Sequence, residues 1–424
     1  MRRLAVKLGV VVVAAALVAG GLAGAQPPAR PPMPRSRRVA RSSPANAGRV
    51  ASAIHARRLA LSGVLDAALR AAAVRVHAPA ATAAVVQCGR VVWADATGVL
   101  DLHSKRPANN GSLFILNSAA KTIVATMIMQ EVQDGHVSLG SRLSEFYPQL
   151  PNAARISVRM LLDMTSGLPD YLANPRIEWM IRHRPRHRWT VNQLLTGLGK
   201  GLGAPKFPPG HKYQYSDTNY IVLGAILERI THSSIERDFQ RLIARRLGIT
   251  SATFVPTAAA KARLAHPYLL EGNGSLISQW LPGFGVSSAV WGPVFTDGGL
   301  ASSSLDLAKF ANALLEGRLV SATAVRQVTH LGRGNYGFGI RGRSYDGHFW
   351  LGHAGFFGGF AAEDWSDPSR QLTIAVATNI EEPGSEVSSH RIWRAIARMY
   401  DRRNLRTASC RSPATADAPV ETAS

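Results

Sequence analysis

The alternation of apolar and polar positions divides the chain into two strand-bearing ends and a helical middle. Period-two or continuous apolar runs mark strands at Ala80–Cys88, Arg90–Val99, Tyr336–Arg343, His348–Gly352, Gly359–Trp365 and Leu372–Thr378. Helical periodicity marks Ala56–Val76 before the first strands and Val387–Tyr400 after the last. Strands at both ends with helices between them predict an α/β domain formed from both termini.

The middle of the chain is mostly helical and rich in loops. We expect residues 56–155 and 325–402 to form the sheet domain and residues 156–324 to form a helical insertion domain. The basic run Arg182–Arg188 contains Pro185, which breaks a helix, so an exposed loop is predicted there. A contact with a polyanion is the alternative interpretation of this run.

The two ends of the chain have the composition of segments outside a folded core. Residues 1–25 combine basic positions, a short apolar run and Ala23-Gly24-Ala25, a pattern that predicts a secretory signal peptide. A single membrane-spanning helix is the alternative, but the apolar run is short for that role. We expect residues 26–55 to be a disordered basic arm and residues 403–424 a disordered tail. The mature protein would then be periplasmic, extracellular or associated with the cell wall.

Composition narrows the choice of partners. The 424 residues carry a net charge of +22, which favours anionic surroundings such as cell-wall polymers or a membrane surface. An arginine-rich, solvated surface explains the charge equally well. The chain contains no nucleic-acid-binding motif, so we expect no nucleic acid partner.

Cys88 and Cys410 are the only cysteines, and an exported protein could join them in a disulfide. No C-x-x-C pair and no histidine cluster occurs, and the sequence implies neither a metal ion nor an organic cofactor.

The stretch Leu113–Asp134 holds the first candidate for chemistry. An apolar run leads into a helix that places Ser118 at its start and Lys121 one turn later. Residues three apart share a helix face, so hydroxyl and amine can enter one pocket. A serine at a helix start also lies beside unpaired backbone N–H groups. The pair alone is weak evidence, because an S-x-x-K arises by chance in a chain of this length, with N-capping as its ordinary role.

Three further motifs accompany this pair in a fixed order. They are Leu161–Tyr171 with the sequence LLDMTSGLPDY, the segment Phe207–Tyr220 containing FPPG and YSDTNY, and His353-Ala354-Gly355 before a glycine-rich run. Together they resemble the penicillin-recognising serine hydrolases, in the branch of class C β-lactamases and D-alanyl-D-alanine carboxypeptidases. The resemblance extends from about Ala56 to Arg402. It implies a β-lactamase/transpeptidase-like fold, with an antiparallel sheet flanked by N- and C-terminal helices and a mostly helical insertion.

The resemblance also implies catalytic roles. Ser118 would be the acylated nucleophile, Lys121 the amine that carries its proton, and Tyr215 the acid and base near the leaving group. A serine needs a neighbouring base, and lysine and tyrosine have ordinary pKa values of about 10, so one of them must be activated. Whether lysine or tyrosine is that base stays open at this point.

Substrate contacts follow from the same resemblance. Backbone N–H groups of Ser118 and Phe356 would form the oxyanion hole, and Gly355 would let the substrate backbone approach. His353, if charged, could hold a substrate carboxylate. A strand histidine bonded to its neighbours is the alternative for His353.

One position departs from the family pattern. The family's asparagine is Asp217 here, and a carboxylate can only accept hydrogen bonds. A carboxylate also stabilises the ammonium form of a nearby lysine. We therefore expect weak β-lactam turnover and activity towards D-alanyl peptides or related amides. A small-ester hydrolase and a catalytically inactive wall-binding protein are the alternatives.

Overall fold

The computed structural model describes residues 44–403 and Cys410, except residues 185, 255–256, 282–284, 287–294 and 383–387. The predicted signal peptide, most of the predicted arm and nearly all of the tail lie outside the described residues. The chain divides into two compact units, Met1–Ala53 and Ile54–Ser424. Only residues 44–53 of the first unit are described, as part of a helix, and the rest of the fold concerns the second unit.

The helices of the described residues are α1 (Pro44–Arg75), α2 (Lys121–Gln133), α3 (Val158–Leu162), α4 (Pro175–His183), α5 (Val191–Leu195), α6 (Thr218–Thr231), α7 (Ile235–Phe239), α8 (Arg245–Leu247), α9 (Ala258–Arg263), α10 (Phe295–Gly298), α11 (Ser304–Leu315), α12 (Ala322–Thr329) and α13 (Ser388–Arg403). The strands are β1 (Ala80–Gln87), β2 (Arg90–Gly98), β3 (Phe114–Ile115), β4 (Tyr268–Leu270), β5 (Leu276–Ser278), β6 (Trp280–Leu281), β7 (Gly285–Val286), β8 (Ala301–Ser302), β9 (Arg341–Tyr345), β10 (His348–Phe357), β11 (Phe360–Asp367), β12 (Leu372–Thr378) and β13 (Ile380–Glu381).

A six-stranded antiparallel sheet in the order β2-β1-β12-β11-β10-β9 organises the unit. The pairing of β1 with β12 joins the two ends of the chain, with Ala81 opposite Thr378 and Gln87 opposite Leu372. The sheet therefore has the antiparallel, both-termini construction that the sequence and its resemblance predicted.

Alternate residues of the central strands pack into two different cores. Ala81, Ala83 and Val85 face a core that contains the α1 residue Leu69 and the α13 residue Trp393. Their neighbours on β1 join the larger core, which contains α2 and the helices of the middle of the chain. Because both faces of β1 are covered, its sequence is a continuous apolar run.

Three sequence-based boundaries need correction. Helix α1 begins at Pro44 rather than Ala56, so residues 44–55, expected in the disordered arm, are helical; their alanines favour that state and a proline is tolerated at the first position. The strand predicted from Tyr336 begins at Arg341 instead. Gly339 has a positive φ and packs against the Lys121 carbonyl, which turns the chain away from the sheet.

The third correction concerns the basic run. Arg182 and His183 form the end of α4, so only the residues after them leave the helix. The helix ends before Pro185, as the proline predicts.

A disulfide joins Cys88, in the β1–β2 turn, to Cys410, with a Cα–Cα distance of 5.6 Å. The predicted pairing of the two cysteines is thereby confirmed. The described part of the chain contains no helix long and apolar enough to span a bilayer.

We predict that the aromatic cluster around Trp393 carries much of the stability of the α13 face. Trp393 is fully buried, with ring centroids of Trp350 and Tyr345 at 5.0 and 5.2 Å. Trp393→Ala should lower the free energy of unfolding by about 3–5 kcal/mol, measured by urea denaturation. Val74→Ala, at a position 74% exposed, is the control and should change it by less than about 0.5 kcal/mol. A similar small loss for both variants would contradict the assignment.

Candidate active site

Ser118 lies in a 3₁₀ turn, Asn117–Ala120, that leads directly into α2. Asn117 adopts a left-handed conformation with φ 51°, which is uncommon outside glycine and sharpens the turn. Its Nδ2 lies 3.3 Å from the carbonyl oxygens of both Phe357 and Phe360. The turn that carries Ser118 is thus fixed to the hairpin formed by β10 and β11.

Gly355 lies against the backbone of that turn. A Cβ atom at this position would come within 2.4 Å of the Ser118 nitrogen and of the Leu116 carbonyl oxygen. Any side chain would therefore push β10 away from the serine. The close approach brings the predicted oxyanion elements, the backbone of Ser118 and the segment from Gly355 to Phe356, to the same place.

Lys121 is completely buried, and its Nζ contacts three groups from different parts of the chain. It donates to Ser118 Oγ at 2.9 Å and to the carbonyl oxygen of Asp297 at 2.6 Å. It also forms an ion pair with Asp217 Oδ1 at 2.6 Å. A buried charge requires such partners, because transfer from water into the interior is costly.

Tyr215 completes the contacts of the serine. Its hydroxyl donates to Ser118 Oγ at 2.8 Å. Burial and the negative charge of Asp217 raise the pKa of the Tyr215 phenol well above its usual value, so the phenol keeps its proton at neutral pH. In the resting site Tyr215 is therefore a proton donor.

Two further aspartates surround the Lys121–Asp217 pair. Asp170 accepts the backbone N–H of Asp217 at 3.2 Å, and Asp297 accepts the hydroxyl of Tyr171 at 2.9 Å. Burial and the charge of Asp217 raise the pKa of Asp170 to about 6. The same two causes raise the pKa of Asp297 well above its usual value. Two further carboxyl groups thus lie near the ion pair, and their surroundings favour the protonated form of each.

The surroundings of His353 favour its neutral form, in which it would not hold a substrate carboxylate as a cation. Burial and the charges of Lys121 and Arg341 lower the pKa of its imidazole well below the usual value. Its Nδ1 lies 2.7 Å from the Ala354 carbonyl oxygen, and Nε2 lies 3.3 Å from the Tyr336 hydroxyl. Both ring nitrogens therefore have partners within the protein, which matches the alternative interpretation from the sequence.

The site opens into a cleft of about 840 Å³. All seven predicted site residues meet here: Ser118, Tyr215, Asp217, His353, Gly355 and Phe356 line the cleft, and Lys121 lies directly behind the serine. The side chain of Phe356 is 54% exposed at the rim. The structure brings these residues together, while their individual catalytic roles stay predictions.

Sequence reasoning missed Arg341. Its guanidinium lines the cleft with Cζ 5.3 Å from the centre of the Tyr215 ring and 5.2 Å from that of Tyr336. One of its N–H groups donates to the Tyr213 hydroxyl at 3.2 Å. The sequence places this residue only within the predicted strand Tyr336–Arg343, without a role in the site.

Comparison with known proteins agrees with this geometry. The family model described as Beta-lactamase matches residues 65–398. Penicillin-binding protein PbpX of Bacillus subtilis is 26% identical over 304 residues, covering 71% of this chain and 70% of that protein.

A D-aminopeptidase of Cereibacter sphaeroides is 25% identical over 334 residues, covering 77% of this chain, which spans only 61% of the relative. The solved structure of a D-amino acid amidase from Ochrobactrum anthropi superposes with a TM-score of 0.66 at 22% identity, covering 82% of this chain and 97% of that one. That structure supports the fold.

We predict that Asp217→Asn accelerates acylation of Ser118. Removing the carboxylate charge 2.6 Å from the lysine nitrogen makes the ammonium easier to deprotonate, while the amide oxygen can still accept a hydrogen bond. The rate of labelling by a fluorophosphonate at pH 7 should rise about tenfold, the effect of a change of one pKa unit. Asp134→Asn, which removes an exposed carboxylate at the C-terminal end of α2, is the control for the lost charge. An unchanged or slower rate in Asp217→Asn would count against this account.

We also predict that ionisation of Asp170 lowers the free energy of unfolding as the pH rises. Its folded-state pKa of about 6 lies above the ordinary value of 3.8, so its stabilising contribution is complete below about pH 4 and is lost through pH 6. Asp170→Asn should therefore become more stable relative to the parent between pH 4.5 and 7.5. The gain is at most about 3 kcal/mol, and solvent screening reduces it.

Urea denaturation at both pH values measures this gain, and the exposed Asp134→Asn variant controls for the loss of one negative charge. A stability difference between Asp170→Asn and the parent that does not change with pH would contradict the prediction.

Proposed function

Because the chain belongs to the beta-lactamase family, we propose that it is an exported serine hydrolase that removes the C-terminal residue from D-alanyl peptides. The acyl-enzyme would form on Ser118, whose hydroxyl contacts both Lys121 and Tyr215. The name of the penicillin-binding relative is consistent with a peptide substrate.

The position of Arg341 is the observation that carries the proposal. A carboxypeptidase must recognise the free carboxylate next to the scissile bond, and His353 is neutral and already bonded. Arg341 is a permanent cation in the cleft, with its guanidinium next to the Tyr215 ring. A guanidinium matches the two oxygens of a carboxylate, so Arg341 is suited to the terminal carboxylate of a peptide.

The protonation states suggest separate roles for Lys121 and Tyr215 in proton transfer. Lys121, once it has lost a proton, would accept the proton of Ser118 as the hydroxyl attacks the carbonyl carbon. Tyr215, protonated at rest, would give its proton to the leaving nitrogen and regain one from Lys121. The oxyanion would lie between the backbone N–H groups of Ser118 and Phe356, each worth about 3 kcal/mol. Water would then hydrolyse the acyl-enzyme.

The edge of β10 offers a place for an extended substrate. Strand β9 pairs with β10 only as far as Gly352, whereas the other side of β10 pairs with β11 through Phe357. Among the described strands, the outer edge from His353 to Phe357 therefore has no partner. A peptide backbone could add there as a further strand.

Ester hydrolysis is the second candidate, favoured by the exposed ring of Phe356 at the rim, which offers apolar contact area. An ester without a carboxylate would not need Arg341. A catalytically inactive wall-binding protein is the third, motivated by the charge of Asp217 beside Lys121.

Export is supported by the signal-like N-terminal segment and by the Cys88–Cys410 disulfide, since disulfides persist in oxidising compartments. The net charge of +22 suits retention by an anionic wall polymer or membrane surface.

We predict that Arg341→Gln separates peptide from ester hydrolysis. The value of kcat/KM for an acyl-D-Ala-D-Ala peptide should fall about a hundredfold, because a charged hydrogen-bonding partner of the terminal carboxylate is lost. Hydrolysis of a matched ester without a carboxylate should fall less than about threefold. Arg326→Gln, at an exposed arginine of α12, controls for the lost charge.

Equal losses on both substrates, or an unchanged peptide rate, would contradict the proposal, and ester turnover without peptide turnover in the parent would favour the second candidate. D-alaninamide belongs in the same series because of the D-aminopeptidase relative. Mass spectrometry after fluorophosphonate treatment tests the third candidate. An adduct on Ser118 that is absent from Ser118→Ala excludes inactivity, whereas no adduct in the parent supports it.

A further inference from the structure

The cleft continues past the catalytic residues to a second group of polar side chains that the proposed reaction does not use. Arg343, Glu363, Trp365 and His390 line this far end. Arg343 belongs to β9, Glu363 and Trp365 to β11, and His390 to the first turn of α13. Two strands and the last helix thus contribute to one polar end of the cleft.

The guanidinium of Arg343 is held in a defined orientation. Its Cζ lies 4.5 Å from the centre of the Trp365 ring, and Nη1 lies 2.8 Å from His390 Nδ1. The Trp365 indole in turn donates to Glu363 at 2.8 Å, and the other oxygen of Glu363 lies 3.4 Å from His390. A guanidinium has five N–H donors, so it can engage a ligand carboxylate in addition to its contacts within the protein.

Arg341 and Arg343 are two residues apart on the same strand and line the same cleft. Residues at this spacing point to one face of a strand and lie about 6.6 Å apart. If Arg341 holds the carboxylate next to the scissile bond, Arg343 continues the same side of the cleft one strand repeat farther, next to Trp365 and His390.

We propose that Arg343 forms a second anion subsite, which selects peptides whose C-terminal D-residue carries an additional carboxylate at the end of its side chain. This inference rests on the proposed function, because it assigns the leaving group of that reaction to the two arginines. Glu363 and His390 act as positioning residues for Arg343. The spacing favours a side chain longer than that of aspartate.

The carboxylate of Glu363 raises the question whether this end of the cleft prefers an anionic or a cationic group of the ligand. It is fully buried and is the one carboxylate among the described residues that line this end. It would repel an anion that reached it directly and attract an ammonium. The indole and the imidazole lie next to its two oxygens, while Arg343 presents the opposite charge. The proposal therefore requires that a carboxylate be preferred over both an amide and an ammonium.

The test compares acyl-D-Ala-D-Xaa peptides that differ only at the end of the last side chain. D-glutamate and D-2-aminopimelate are paired with their side-chain amides, and D-lysine supplies the opposite charge. In the parent protein, kcat/KM for the longer diacid should exceed that for its amide about tenfold, with a smaller ratio for D-glutamate and the lowest value for D-lysine. In Arg343→Gln the diacid-to-amide ratio should fall to about one, whereas Arg326→Gln should keep the parental ratio.

Because the ratio is measured within one variant, a general loss of activity does not affect it. A parental ratio near one, a preference for D-lysine, or a ratio that survives in Arg343→Gln would overturn the inference while leaving D-Ala-D-Ala hydrolysis intact as support for the proposed function.

A second measurement does not require peptide hydrolysis. N-acetyl-D-2-aminopimelate should protect Ser118 from a fluorophosphonate about tenfold better than its side-chain amide, and Arg343→Gln should remove that difference. Equal protection by the two compounds in the parent would refute the subsite, even if no D-alanyl peptide were cleaved.

Discussion

The ammonium group of Lys121 has no contact with solvent, and its need for partners determines how the chain converges. One partner is the neighbouring serine, the second comes from the N-cap of α6, and the third is a backbone carbonyl of α10. An unpaired charge in that position would cost several kcal/mol or more. The ammonium group can therefore stay buried only while the helical middle of the chain is docked against the start of α2.

The same burial explains the unusual balance of charge around the serine. The ion pair between Lys121 and Asp217 is surrounded by Asp170 and Asp297, and burial favours the protonated form of both. The net charge of the site thus depends on protons held by side chains that do not touch the serine. In a family member with a neutral amide at position 217, the lysine would lack this anionic partner.

Periodicity and motif order predicted the sheet, the start of α2 and the set of residues around Ser118. They could not predict the state of His353, because its neutrality follows from burial and from two cations that only the fold brings near. Arg341 was not predicted as a site residue, because nothing in its local sequence shows that it faces Tyr215. The late start of β9 was missed because Gly339 is required by the backbone of α2, a contact far away in sequence.

Strand β12, one of the two neighbours of β1 in the sheet, is synthesised long after it. Ala80 donates its backbone N–H to Asn379 across a separation of 299 residues, and β12 fills the position beside β1 in the sheet. Closing so long a loop is slow, so the edge of β1 opposite β2 lacks its neighbour until β12 has been synthesised. During that interval β1 exposes a strand edge that invites aggregation. A chain translocated in the unfolded state, from one end to the other, would complete this sheet only on the far side of the membrane.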